Sequence, residues 1–305
     1  MPPSVFSSAQ APSIHPSSDS VNARLLRLRP SGMFSNVNEV VEQVRLARQG
    51  GYQFIIDWSR SCYNDPDHPG DPWDYYFEPC FSGLDDATLR RADLPELPTG
   101  EVVACTRANI ITPRLRDADC DPLLLPRDRH GAHDLITRHL RLKPDVRRVT
   151  EAFMHEQFTG PVIGLHLRGP GRMDGGAAAL RRAQVLDGGV PYGVYFDAVD
   201  RALKNRPEAQ VLICSDSSQV IDRVRDSYGD RVITYTATRS AFGEMHVANH
   251  PANAGQSFSP YVLGLDVLVE AYLLARCDFF VHGNSNVANF VLCAAPDLPH
   301  EYVPA

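Results

Sequence analysis

The chain has 305 residues, enough for two domains of ordinary size, each able to bury its own core. Its 43% hydrophobic and 22% charged content is that of a globular protein. A net charge of -7 argues against non-specific nucleic-acid binding, which needs a basic surface, but leaves room for a local basic pocket around a small anion.

Seven cysteines, at 62, 80, 105, 120, 214, 277 and 293, are odd in number and lack CxxC spacing, which reads as reduced thiols. The N-terminus lacks a charged segment followed by an apolar core, so no signal peptide is expected. The most apolar window, Tyr261 to Arg276, carries Asp266 and Glu270 and is too short to span a membrane. The expected location is cytoplasmic.

Residues 1–20, rich in Ser and Pro, read as a disordered tail. A strand is expected over Arg24–Arg29, followed by a loop, Pro30 to Asn36, able to cap the helix predicted over Val37–Arg48. Gly50-Gly51 stops that helix, and Tyr52–Trp58 reads as a buried strand. The stretch from Ser59 to about Asp121 has no clear period. Within it, Trp73 to Pro79 is dense in aromatics, which suits either a sugar-stacking surface or ordinary core packing. Helical spacing returns over His133–Phe158, interrupted at Pro144, and Thr159-Gly160-Pro161 forms a joint.

The second half alternates more cleanly. Strands are expected at Val162–Leu167, Val211–Ser215, Arg231–Tyr235 and Phe279–His282. Helices are expected at Tyr192–Asn205, Ser218–Tyr228, Pro260–Arg276 and near Val287. Such alternation implies a parallel sheet covered on both faces, with ligands bound beyond the carboxyl ends of the strands. The division predicted at the Thr159-Gly160-Pro161 joint is a 21–158 domain and a 159–305 domain.

Three strand ends carry polar groups. After the first come His166 and Arg168, on one side of the strand, then Gly169 and Gly171. Arg168 suits phosphate oxygens or a structural ion pair. After the second, Asp216 suits ribose hydroxyls, or capping of the next helix together with Ser217 or Ser218. After the third, Ser285 and Asn286 open a helix whose N-terminus suits phosphate, with N-capping as the plain alternative. On the apolar helix Pro260–Arg276, Asp266 and Glu270 face one side. A buried Glu270 needs a partner, either the N1–H and N2–H donors of a guanine or an internal arginine.

The set His166-Leu167-Arg168, Ser215-Asp216, Glu270, Cys277 to Val281 and Asn284-Ser285-Asn286 resembles the α1,6-fucosyltransferase superfamily. Gly32 to Asn36 and Trp73 to Pro79 are also similar to bacterial members. The resemblance implies a GT-B fold, two facing Rossmann-like domains with parallel sheets. It implies a metal-independent, inverting transferase that moves fucose from GDP-fucose to a glycan or other small acceptor, without cofactor. By position, Arg168 would hold the β-phosphate with His166 in support, Asp216 would contact the nucleoside, Glu270 would read guanine, and Ser285 with Asn286 would hold phosphate.

Two positions depart from the family pattern. Gly169 stands where relatives carry a second arginine, a charge that Arg172 would replace. The expected catalytic acid has Asp174 as its nearest counterpart. Alternatives are a different GDP- or UDP-sugar donor, or a catalytically degenerate binding protein. Arg129-His130-Gly131 matches the signature of histidine phosphatases, but sits mid-chain rather than after a first strand.

Overall fold

The computed structural model describes residues 22–82, 84, 93–97, 128–168, 191–241, 245, 257–283 and 285–303. The candidate positions Arg172, Asp174, Gly169 and Asn284 lie outside these residues. Strand β1 (Ala23–Arg27) runs into helix α1 (Met33–Gly50) and returns as β2 (Gln53–Asp57), which pairs with β1 in parallel. A short helix α2 (Pro72–Tyr76) and helices α3 (Arg129–His139) and α4 (Pro144–Gln157) complete the first half.

The second half is β3 (Val162–His166), α5 (Pro191–Asn205), β4 (Gln210–Cys214), α6 (Ser218–Tyr228), β5 (Val232–Ile233), α7 (Pro260–Leu274), β6 (Phe279–His282), α8 (Asn286–Ala294) and β7 (His300–Tyr302). Its strands form one five-stranded parallel sheet in the order β5-β4-β3-β6-β7. The order reverses at β3, so the crevice beyond the carboxyl ends of β3 and β6 is a topological switch point. His166 and His282 are register partners at that edge.

Helix α1 begins four residues earlier than the spacing predicts. Gly32 is its N-cap without a side-chain cap, and the Met33 N–H donates to the Tyr63 hydroxyl at 3.0 Å. Asn36 therefore lies inside the first turn. Its amide donates back to the carbonyls of Arg29 and Ser31, both at 3.0 Å, fixing the strand-to-helix turn. Gly51 ends the helix at φ 64°, a left-handed position that suits glycine. Two further elements, α2 and β7, lie where the sequence carries no period.

Trp73, Tyr76 and Phe77 are buried and pack with Trp58, Tyr63 and one another, so the aromatic segment is core. It also ties the halves together. The Tyr76 hydroxyl donates to the Tyr261 carbonyl at 2.8 Å, and Asp65 Oδ2 accepts from Ser259 Oγ (2.5 Å) and the Tyr261 N–H (3.1 Å) at the start of α7. Helix α1 meets α8 through Phe34 and Phe290, 4.7 Å apart, and through Asn38, whose amide donates to the Asn286 carbonyl.

Gly264 is where α7 passes Tyr76: a Cβ there would sit 2.2 Å from the tyrosine hydroxyl. Tyr76 is fully buried with its hydroxyl bound to the Tyr261 carbonyl, so it yields little, and Gly264→Ala is expected to destabilise the protein by about 1–3 kcal/mol. Urea denaturation checks this, and Gly264→Ala combined with Tyr76→Phe should recover part of the loss.

Candidate active site

One cavity of about 860 Å³ opens at the switch point and is walled by both halves. Of the sequence-derived candidates, His166, Arg168, Asp216, Glu270, Ser285 and Asn286 all line it. The first half contributes Pro30 to Ser35 at the start of α1 and Arg60 to Tyr63 after β2. No helix among the described residues is long and apolar enough to cross a membrane.

Arg168 follows β3 and lies 3.8 Å from Asp216 at the end of β4, with both side chains partly open to the cavity. Capping of α6 falls to Ser217, whose Oγ accepts from the Val220 N–H, so Asp216 is left to the cavity wall. Ser285 does two jobs. Its hydroxyl caps α8 by accepting from the Ala288 N–H at 3.0 Å, and it also lies 3.3 Å from His166 Nδ1. The first N–H groups of α8 and their dipole thus open onto the cavity beside His166 and Arg168, a setting suited to an anion.

Glu270 meets an internal partner. Arg239 Nη2 donates to Glu270 Oε1 at 2.5 Å and to the Tyr235 carbonyl at 2.9 Å, while Nη1 donates to the Ser215 carbonyl. Burial pushes the Glu270 carboxyl up to about 7, against the opposing pull of Arg239. Its neighbour Asp266 is also raised by burial and accepts from the Thr238 N–H at 2.7 Å. Sequence reasoning missed Arg239 itself. It sits in the irregular segment after β5, where only the need of a buried carboxylate for a cation pointed to it.

A second polar chain lies under the β6–α8 junction. Carbonyls only accept, so His282 Nδ1 donates to the Gly283 carbonyl at 3.0 Å. His282 Nε2 then accepts from His300 Nδ1 at 3.1 Å, which leaves His300 Nε2 to accept from Arg129 at 3.1 Å. Arg129 is therefore engaged at the first turn of α3, and His130 is exposed beside Asp297 on the surface, which is not a phosphatase arrangement.

The buried histidines stay neutral. Burial, helped by Arg168, holds His166 down at about 4; burial likewise holds His282 at about 3, and His300, with Arg129 beside it, at about 4. Unfolded histidine takes up its proton near 6.5, so between 6.5 and about 4 the unfolded chain binds more protons than the folded one. The histidines' contribution to stability is expected to be constant above pH 6.5 and to fall as the pH drops through that window. Thermal melting from pH 8 to 4 checks this, and His282→Gln should flatten the acid limb.

No protein-family model matches the chain. It is 26% identical over 273 residues, 77% of this chain and 68% of the relative, to nodulation protein Z of Bradyrhizobium diazoefficiens. Its fold matches the crystal structure of NodZ α-1,6-fucosyltransferase co-crystallized with GDP, with TM-score 0.51 and 18% identity over 91% of this chain and 93% of that one. It also matches POFUT1 in complex with GDP-fucose, with TM-score 0.53 and 10% identity over 94% and 98%. A third match is Arabidopsis thaliana FUT1 with GDP, with TM-score 0.51 and 11% identity over 92% and 70%. The chain thus shares the GT-B fold of these fucosyltransferase structures and is similar in sequence to the nodulation protein.

Proposed function

We propose that the protein transfers fucose from GDP-fucose to a hydroxyl of a glycan or other small acceptor, with inversion and without a metal. The observation that carries this reading is the convergence of His166, Arg168, Asp216, Ser285 and Asn286 on one cavity at the sheet switch point. The sequence kinship with nodulation protein Z, and the GDP and GDP-fucose complexes of its structural neighbours, supply the donor.

In this reading Arg168 and the α8 N-terminus take the diphosphate and stabilise the leaving GDP as the C1–O bond breaks. His166 carries no charge at neutral pH and orients Ser285. Asp216 contacts the nucleoside. Glu270 reads the base with Arg239 on one of its carboxylate oxygens. Asp174 takes the proton of the attacking hydroxyl as general base, and Arg172 adds charge nearby. Arginines and helix dipoles neutralise the phosphates, so no cation is needed.

The test is turnover. GDP-fucose is incubated with chitin oligosaccharides, N-glycans and simple sugars, with and without EDTA, and GDP release and the anomer formed are followed. Fucosylated product of inverted configuration, insensitive to EDTA, is the expected result. Donor binding without transfer to any acceptor would favour the degenerate binding protein instead.

A further inference from the structure

Resting on this donor reading, the geometry points to Arg60 as a further diphosphate-binding cation of the site, reaching in from the first half. Gly169 leaves the chain without an arginine directly after Arg168. The described cavity lining carries two other arginines, Arg168 and Arg239, against three carboxylates, Asp216, Asp266 and Glu270. Arg239 is committed to Glu270, and Arg168 faces Asp216. A diphosphate brought to that lining would meet no surplus positive charge. Arg60 supplies it.

Arg60 lines the cavity from the opposite wall, on the turn after β2, and has no hydrogen bond or ion pair to any described residue. Three other arginines of that half pair with carboxylates: Arg27 with Asp57 and Glu96, Arg29 with Glu39, and Arg45 with Glu42. The turn that presents it is tightly held. The Ser61 N–H donates to the Trp58 carbonyl at 2.9 Å, the Ser59 hydroxyl to Asp57 Oδ1 at 2.6 Å, and the Asn64 amide to the Ser59 carbonyl at 3.0 Å. Tyr63, three residues on from Arg60, lines the same cavity as Arg168, so this turn faces the cavity that holds the phosphate-side residues. A guanidinium at this point has a fixed base, an exposed stem and a forked donor set suited to phosphate oxygens. Serving the acceptor instead would leave the diphosphate facing a lining of net negative charge.

The experiment is calorimetric titration of the full chain and its Arg60→Ala and Arg60→Lys variants with GDP, GMP and guanosine at two salt concentrations. Because Arg60 is exposed, melting temperatures should match wild type and serve as the folding control. For Arg60→Ala, GDP should bind roughly tenfold more weakly, GMP distinctly less affected and guanosine unchanged, with a shallower salt dependence. Arg60→Lys should recover part of the loss. Unchanged GDP affinity, as expected if Arg60 served only the acceptor, would overturn the inference, and so would an equal loss for guanosine. A wild-type chain blind to GDP would instead sink the donor reading itself.

Discussion

Arg168→Ala is expected to lower kcat/KM for GDP-fucose by about 10²- to 10³-fold while leaving the melting temperature close to wild type. The split follows from its position. Arg168 comes after the last residue of β3, outside the buried ladder, and its side chain reaches the cavity beside Asp216. In the proposed transfer, truncating it removes a forked cation from where negative charge grows on the leaving GDP, yet opens no hole in the core. Arg168→Lys keeps the charge but loses the fork, so an intermediate rate is expected. GDP release under single-turnover conditions, beside a thermal melt, checks both. Retention of most activity by the alanine variant would remove Arg168 from the site.

The second large effect is on stability. Arg239→Met leaves Glu270 as a buried carboxylate without its cation, a change expected to destabilise the fold by about 3–5 kcal/mol. Burial already holds the Glu270 carboxyl up at about 7, and loss of Arg239 pushes it further up. An acid raised in the folded state gives stability that is present at low pH and lost as the pH rises through its folded value. The variant should therefore be more severely destabilised at pH 8 than at pH 5. Adding Glu270→Leu should recover most of the loss, because the pair is then replaced by apolar groups. Urea denaturation of the single and double variants at both pH values is the measurement.

Much of the donor-side architecture was legible because a covered parallel sheet writes itself as apolar runs ended by polar residues. Phe279–His282 and Ser218–Tyr228 match their predicted bounds, and His166, Arg168, Asp216 and Ser285 stand where strand ends place them. Both alternatives offered for Ser285 hold in part, since it caps α8 and also faces His166. What failed to show was contact across the sequence. Arg239 lies in a segment without period, and its pairing with Glu270 depends on how that segment folds back over α7. Asn36 has the chemistry of a helix cap, but its amide turns back to Arg29 and Ser31, so the helix starts before it. The strand β7 spans only His300–Tyr302, each residue half-buried, and carries no apolar alternation to announce it. Trp73 and Phe77 carry flat rings suited to a sugar, and only packing against Trp58 and each other decides that they are core.

Whether the cavity at the β3–β6 switch point is a GDP-sugar site is decided by calorimetric titration with GDP, UDP and ADP, with and without EDTA. Selective binding of GDP that EDTA leaves unchanged and that weakens in Glu270→Ala is the expected result. Equal affinity for the three nucleotides, or preference for UDP or ADP, would contradict it.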